Sequence, residues 1–403
     1  MKKIENYPTT KNGSYTLKSA VIEGYEYTKT YYKMQDGKPT RCEEGDDSCL
    51  TIVNIRKKDA EQKGKKAFVF SEGYIGAEKA YKEDGTKRMS LARKDGFGVS
   101  YLIKYIENAE KNNVDNFHVV FASNEETSEN QAALYAQALQ DITTDEVEKT
   151  YIWSHSKAGL LTLRALELMR ASGDAKSEQV LNKVKAVLTS MPTQGLNTVD
   201  RESIINKLSG SKFLKVLPFS GFIRTGILSF YDRFLYRSTP AQVDLKKKET
   251  ELALQPYEPR GKLSKLLDKI SGNKSFRDRV MNSERVQYDA GYLGRVTSDE
   301  NLESIKDVNY KVLPVNLEIK DALEAMVKHG QLMPFVLLAK KMLSKEQGDG
   351  IVTYSEQGME EFRDRIKYDE NTEVRAGHDI PTTPEALETI GEQLLKDEDE
   401  NER

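Results

Sequence analysis

Four short apolar runs, set apart by stretches of helical spacing, restrict the folds open to this chain more than any other feature. They are Ala67-Phe-Val-Phe70, Phe117-His-Val-Val-Phe-Ala122, Thr150-Tyr-Ile-Trp153 and Val184-Lys-Ala-Val-Leu-Thr189. Between them lie Val99, Leu102, Ile103, Tyr105 and Ile106, then 131–139, then 157–169. In the last of these Ala158, Leu160, Leu161, Leu163, Leu166 and Leu168 leave almost no polar face, as in a buried helix. Apolar strands alternating with helices demand βαβ units and a parallel sheet. Ahead of them, residues 21–56 alternate with period two through Tyr25, Tyr27, Tyr31 and Leu50-Thr-Ile-Val-Asn-Ile55. With Asp36-Gly37 between, this predicts antiparallel strands. The expected class is therefore α/β, a mostly parallel central sheet with antiparallel strands at its N-terminal side.

The rhythm stops after Met191-Pro192. Residues 201–287 hold 18 Lys plus Arg against 9 Asp plus Glu, although the whole chain of 403 residues carries a net −3. Inside that block, 213–231 is strongly apolar with scattered cations. Strand and helix signals resume at 308–319, 322–343, Ile351-Val-Thr-Tyr, Glu373-Val-Arg and 383–395. The predicted organisation is a loose arm at 1–20 and an α/β core at 21–196 and 308–395. A basic helical cap or lid would occupy 197–307, and an acidic tail 396–403. The slight negative balance argues against a nucleic-acid partner. No run of eighteen apolar residues suggests a spanning helix, and no apolar segment follows Lys2-Lys3 as in a secretory leader. A cytoplasmic location is the expectation. Cys42 and Cys49 are too few to close a zinc site. They are read as reduced loop thiols, with a disulfide across the acidic turn as the alternative.

The sharpest local signal is Trp153-Ser-His-Ser-Lys-Ala-Gly159, between a strand and the buried helix. A serine nucleophile on such a sheet needs a tight strand-to-helix turn with small residues two before and two after it. Ser156 meets this, with Ser154 and Ala158; Ser154 does not, because Ile152 would fill the tight position. The competing reading is a serine that caps the helix. A serine needs a base, and the chain has four histidines. His118 lies in an apolar strand, His155 inside the turn and His329 on a helix, whereas His378 occupies a late loop, as the Ser–Asp–His order of this fold requires. The acid that orients it is Asp349, in Gly348-Asp-Gly, or Asp321 after the strand-like 315–320. The oxyanion would be received by the backbone N–H groups of Tyr74, in Ser71-Glu-Gly-Tyr-Ile-Gly76, and of Lys157.

With these residues in view, the chain resembles an α/β-hydrolase of the bacterial triacylglycerol-lipase and serine-esterase branch, over about 65–395 without the insertion. Phe68-Val-Phe-Ser-Glu-Gly-Tyr-Ile-Gly76 is similar to that family's strand and His-Gly-aromatic-x-Gly loop, with Glu72 in the histidine's place. Ser154-His-Ser-Lys-Ala158 resembles its Gly-His-Ser-x-Gly turn, with both glycines replaced. Leu188-Thr-Ser-Met-Pro-Thr-Gln-Gly195 looks like the Thr-Pro-x-x-Gly segment that follows, and Asp349-Gly-Ile-Val352 like the segment carrying the acid. The resemblance implies a triad of Ser156, Asp349 and His378, a cap over 197–307, and hydrolysis of small-molecule or lipid esters without a cofactor. His378-Asp-Ile-Pro381 departs from the His-Leu-Asp of the branch, so no calcium ligand or other metal site is carried over. Thioester, peptide and acyl-transfer chemistry would use the same triad. The lost glycines and histidine leave room for an inactive binding protein on the same fold. The basic cap, with 213–231 and Lys246-Lys-Lys248, would suit peripheral contact with anionic lipid. Its alternative is a cap whose cations are simply solvated or paired.

Overall fold

The computed structural model describes residues 25–43, 48–57, 65–72, 114, 116–123, 126–194, 291–320, 347–349, 352, 357–358, 365–369, 371–376 and 384–395. The predicted arm, nearly all of the predicted cap, the 322–343 helix and the acidic tail lie outside these residues.

Eight strands form one sheet. They are β1 (Tyr25–Gln35), β2 (Lys38–Cys42), β3 (Leu50–Lys57), β4 (Lys66–Glu72), β5 (Asn116–Phe121), β6 (Lys149–His155), β7 (Val184–Thr189) and β8 (Asn309–Leu313). Their order is β2-β1-β3-β5-β4-β6-β7-β8. From β5 to β8 every pairing is parallel, whereas β1, β2 and β3 pair antiparallel and β3 joins β5 antiparallel. This is the mixed sheet expected from the period-two N-terminal stretch and the later alternation. The β1–β2 turn is Asp36-Gly37 with φ of 50° and 74°. Positive φ at both central residues suits the right-handed twist of a hairpin, and aspartate and glycine tolerate it. Two short parallel strands, β9 (Val315–Asn316) and β10 (Val374–Arg375), form a second, two-stranded sheet.

Side chains alternate between the two sheet faces and build two cores. On one, Ile52, Val69, Val120, Ile152, Ala186 and Val312 pack with α1 (Ser128–Ile142), α2 (Lys157–Ser172) and α3 (Ala175–Lys183). Two short helices, α4 (Tyr292–Val296) and α5 (Asp299–Ser304), join this layer. On the other face Phe68, Phe117, Tyr151, Trp153 and Val187 pack with Ile390 and Leu394 of α6 (Pro384–Leu395). Leu160, Leu163 and Leu166 of α2 are fully buried, each worth about 1.5–3 kcal/mol by removal from water. Among the described residues no helix is long and apolar enough to cross a membrane.

Cys42 and Cys49 are not joined by a disulfide. Cys42 pairs opposite Tyr31 on β1, while Leu50, next to Cys49, pairs on the other edge of the same strand. Two strand spacings, about 9.5 Å, therefore separate them, beyond the reach of a disulfide.

One part-buried cluster ties α1 to α2. The Arg164 guanidinium grips Glu129 through Nε at 3.0 Å and Nη2 at 2.7 Å, and donates to Glu167 from Nη1 at 3.0 Å. Burial pushes the Glu167 carboxyl up to about 8, with the Arg164 charge opposing and Glu129 adding to the rise. Between the ordinary 4.5 and about 8, the native state holds a proton that the unfolded chain has released. Stability therefore falls as pH rises through that window. Glu167→Gln is expected to flatten this slope, so that its loss of Tm from pH 5.5 to 8.5 is smaller than wild type's by about 2 °C or more. Melting both proteins by circular dichroism at the two pH values checks it, and parallel slopes would refute the assignment.

Candidate active site

The sheet order itself says where a site belongs. The chain runs from β4 outward to β5, then returns to β6 on the other side of β4. Right-handed crossovers to opposite sides must lie on opposite faces, which opens a crevice at the carboxyl ends of β4 and β6. Ser71 near the end of β4 pairs with Ser154 on β6, and the turn into α2 leaves from that point.

Ser156 sits between β6 and α2 with φ 58° and ψ −132°, a sparsely populated conformation for a residue with a Cβ. Three other helix starts among the described residues show what capping looks like. Thr127 accepts the amide of Asn130, Asp174 that of Ser177 and Ser298 that of Asn301. Ser156 occupies the same position on α2 and makes no such bond. The capping reading of this serine therefore fails. Its backbone is instead pinned from both sides, the amide donating to Thr189 O at 2.8 Å and the carbonyl receiving Gly159 N–H at 2.9 Å. Thr189 also accepts the Trp153 indole N–H at 3.0 Å. His155 lies 3.4 Å from the Thr189 hydroxyl through Nδ1.

Strain of this kind persists only where packing fixes it. Gly159 supplies one such contact, which sequence inspection did not single out. A Cβ there would stand 3.0 Å from Met191 Sδ and 3.2 Å from Met191 Cβ, so the first turn of α2 lies directly on the segment after β7. Met191 Cβ cannot swing away. Gly159→Ala is expected to cost about 1–3 kcal/mol by overpacking, read as a lowered urea midpoint; an unchanged midpoint would show that Met191 yields. Ser190, just before it, also has positive φ, 53°, and a buried hydroxyl without a hydrogen-bond partner among the described residues.

Asp349 is fully buried. Its Oδ1 accepts the Val352 amide at 2.7 Å. The preceding Gly348 accepts Leu317 N–H at 2.8 Å and donates to Asn316 Oδ1 at 3.2 Å. The turn carrying Asp349 is thus fastened to the carboxyl end of β9. Lys157 is the first residue of α2, its side chain 1% exposed. Ser156 and Lys157 thus follow the carboxyl end of β6, and the turn of Asp349 is held at the carboxyl end of β9. His378, Tyr74 and Asp321 fall outside the described residues, as does His329. His118 lies within β5, its Nδ1 2.9 Å from Asn54 Oδ1, and burial holds its ring down at about 4. That agrees with its exclusion as the base.

A mostly parallel sheet with this strand order, and a strained serine on the turn from its central strand into a buried helix, define the α/β-hydrolase fold. No protein-family model matches the chain, and neither does any curated protein sequence. Solved structures do. A mature lipase of Bacillus licheniformis, BlEst2, is 14% identical at TM-score 0.38, over 84% of this chain and 95% of that one. Est1E of Butyrivibrio proteoclasticus is 11% identical at TM-score 0.39, over 92% and 100%. A Rhizomucor miehei esterase structure is 12% identical at TM-score 0.39, over 94% and 87%. Likeness at that level bears on neither chemistry nor substrate, which rest on the residues themselves.

Proposed function

We propose that the chain hydrolyses carboxylic esters, of small molecules or lipids, through an acyl-enzyme on Ser156. One observation carries this reading. A serine holds the capping position of a buried helix without capping it, in a strained backbone, at the crevice where the sheet order reverses. In the reaction His378 takes the Ser156 proton as Oγ adds to the ester carbonyl. The amides of Lys157 and Tyr74 receive the tetrahedral oxyanion. Collapse breaks the bond to the leaving alcohol, which His378 protonates. Water then adds to the acyl-enzyme with His378 again as base, and Ser156 recovers its proton as the acid departs. Asp349 holds the imidazole in the required tautomer.

The test is intact-mass labelling by a fluorophosphonate, with wild type and Ser156→Ala side by side. A single adduct on wild type and none on the variant supports the reading; no adduct on the folded wild type overturns it. Thioesters and amides would engage the same groups, and a panel of leaving groups at constant acyl chain separates those substrates from oxygen esters.

A further inference from the structure

Two buried hydroxyls close a loop across the turn that carries Ser156. Ser154, two residues before it, lies in β6 and is paired on both sides, with Ser71 of β4 and Leu188 of β7. Its Oγ stands 2.6 Å from the Thr162 hydroxyl of α2. That hydroxyl in turn donates to the carbonyl of Ala158, two residues after Ser156, at 2.8 Å. Both Ser154 and Thr162 are fully buried.

The proton count gives this bridge a direction. A carbonyl can only accept, so Thr162 spends its proton on Ala158 and must receive from Ser154. A helical threonine can turn its hydroxyl to the carbonyl four residues back without help; here the same oxygen is also held from the sheet. The bridge runs Ser154 Oγ, Thr162 Oγ1, Ala158 O, and joins the two small positions that flank the serine. A glycine at 154 could not donate to it. Inside the loop it closes stand Ser156, with φ 58° and ψ −132°, and Lys157, whose amide is one of the two oxyanion donors in the reading above. Strain persists only where the surroundings over-determine it. A strand residue fixed on both sides and bonded through one side chain to the first turn of the helix is such a constraint.

Resting on the reading of Ser156 as nucleophile, we propose that Ser154 and Thr162 are positioning residues whose hydroxyl bridge sets the first turn of α2 on the end of β6, and so the Lys157 amide against the Ser156 hydroxyl. Being fully buried, neither touches substrate. Without the bridge the turn relaxes towards ordinary backbone angles, and small misplacements of reacting groups cost rate and not affinity.

The test measures kcat and KM on p-nitrophenyl butyrate, the rate of fluorophosphonate acylation, and Tm. The proteins are wild type, Ser154→Ala, Thr162→Val, their double variant, Thr162→Ser, and Leu166→Val, which thins the core one turn further along α2. Expected are losses of about 10- to 100-fold in kcat and in acylation rate for Ser154→Ala and for Thr162→Val, with KM within about twofold. Because both act through one bridge, the double variant should lose no more than the worse single. Thr162→Ser can make both bonds and should recover the rates, whereas Leu166→Val should melt lower yet keep them. Wild-type rates in folded Ser154→Ala, multiplied losses in the double variant, a Thr162→Ser as slow as Thr162→Val, or an equal loss in Leu166→Val would each overturn the proposal. Should Thr162→Val not fold, Ser154→Ala and Thr162→Ser decide it. A wild type that takes no label at Ser156 is a separate result, which overturns the nucleophile reading and this proposal with it; unchanged variants of a wild type that does take the label overturn this proposal alone.

Discussion

Ser156→Ala is expected to lower kcat for ester hydrolysis by roughly 10⁵- to 10⁶-fold, the cost of removing the nucleophile from a serine–histidine pair. The protein should remain folded, because the hydroxyl makes no cap bond that the helix would miss. A second substitution separates chemistry from strain. Alanine keeps the Cβ and so keeps the cost of φ 58° and ψ −132°, whereas glycine relieves it. Ser156→Gly should therefore be as inactive as Ser156→Ala, yet more stable by about 1 kcal/mol. The pair of outcomes is diagnostic. Activity surviving in either purified variant would remove Ser156 from the mechanism. Equal melting temperatures for Ala and Gly would show that the backbone there stores no strain.

The parts of this molecule legible in the sequence are those written in local pattern. Period-two alternation with Asp36-Gly37 gave the hairpin, because a two-residue turn of that type needs residues tolerant of positive φ. The apolar runs gave the parallel strands, since burial on both faces leaves no polar alternation. The serine between strand and helix stood out because crowding at such a turn restricts its neighbours to small residues. What stayed hidden depends on contacts far apart in the chain. Nothing near Gly159 announces that Met191 lies on it. Tyr135 looks like any apolar-face residue of a helix until Ser71, 64 positions away, is seen to donate to it. The small helices α4 and α5, within the stretch assigned to the cap, are too short for periodicity to register. Even so they pack on α2, with the Tyr292 hydroxyl donating to Leu160 O at 3.2 Å. Glu167 reads as one charge among many, and its raised carboxyl follows from being buried beside Arg164 and Glu129.

Asp349→Asn is the other large effect, an expected fall of about 10⁴-fold in kcat with KM little changed. The substitution is close to isosteric, and its amide oxygen can keep the Val352 N–H bond that Oδ1 makes at 2.7 Å. The turn fastened to Leu317 and Asn316 should therefore survive. What asparagine cannot supply is a second acceptor: its NH₂ would face the Nδ1–H of His378, donor against donor, and drive the imidazole to the tautomer that cannot take the Ser156 proton. Asp349→Ala should lose a similar factor in kcat and, in addition, about 1–3 kcal/mol of stability, because the buried Val352 amide then loses its acceptor. The contrast between the two variants separates orientation of the base from support of the loop. Asp321→Asn supplies the decisive comparison, since both aspartates precede His378 in the order that the fold requires. If Asp349 is the acid, Asp321→Asn stays within about twofold of wild type. A collapse in Asp321→Asn with Asp349→Asn still active would exchange their roles, and leave Asp349 as the residue that closes its own turn through the Val352 amide.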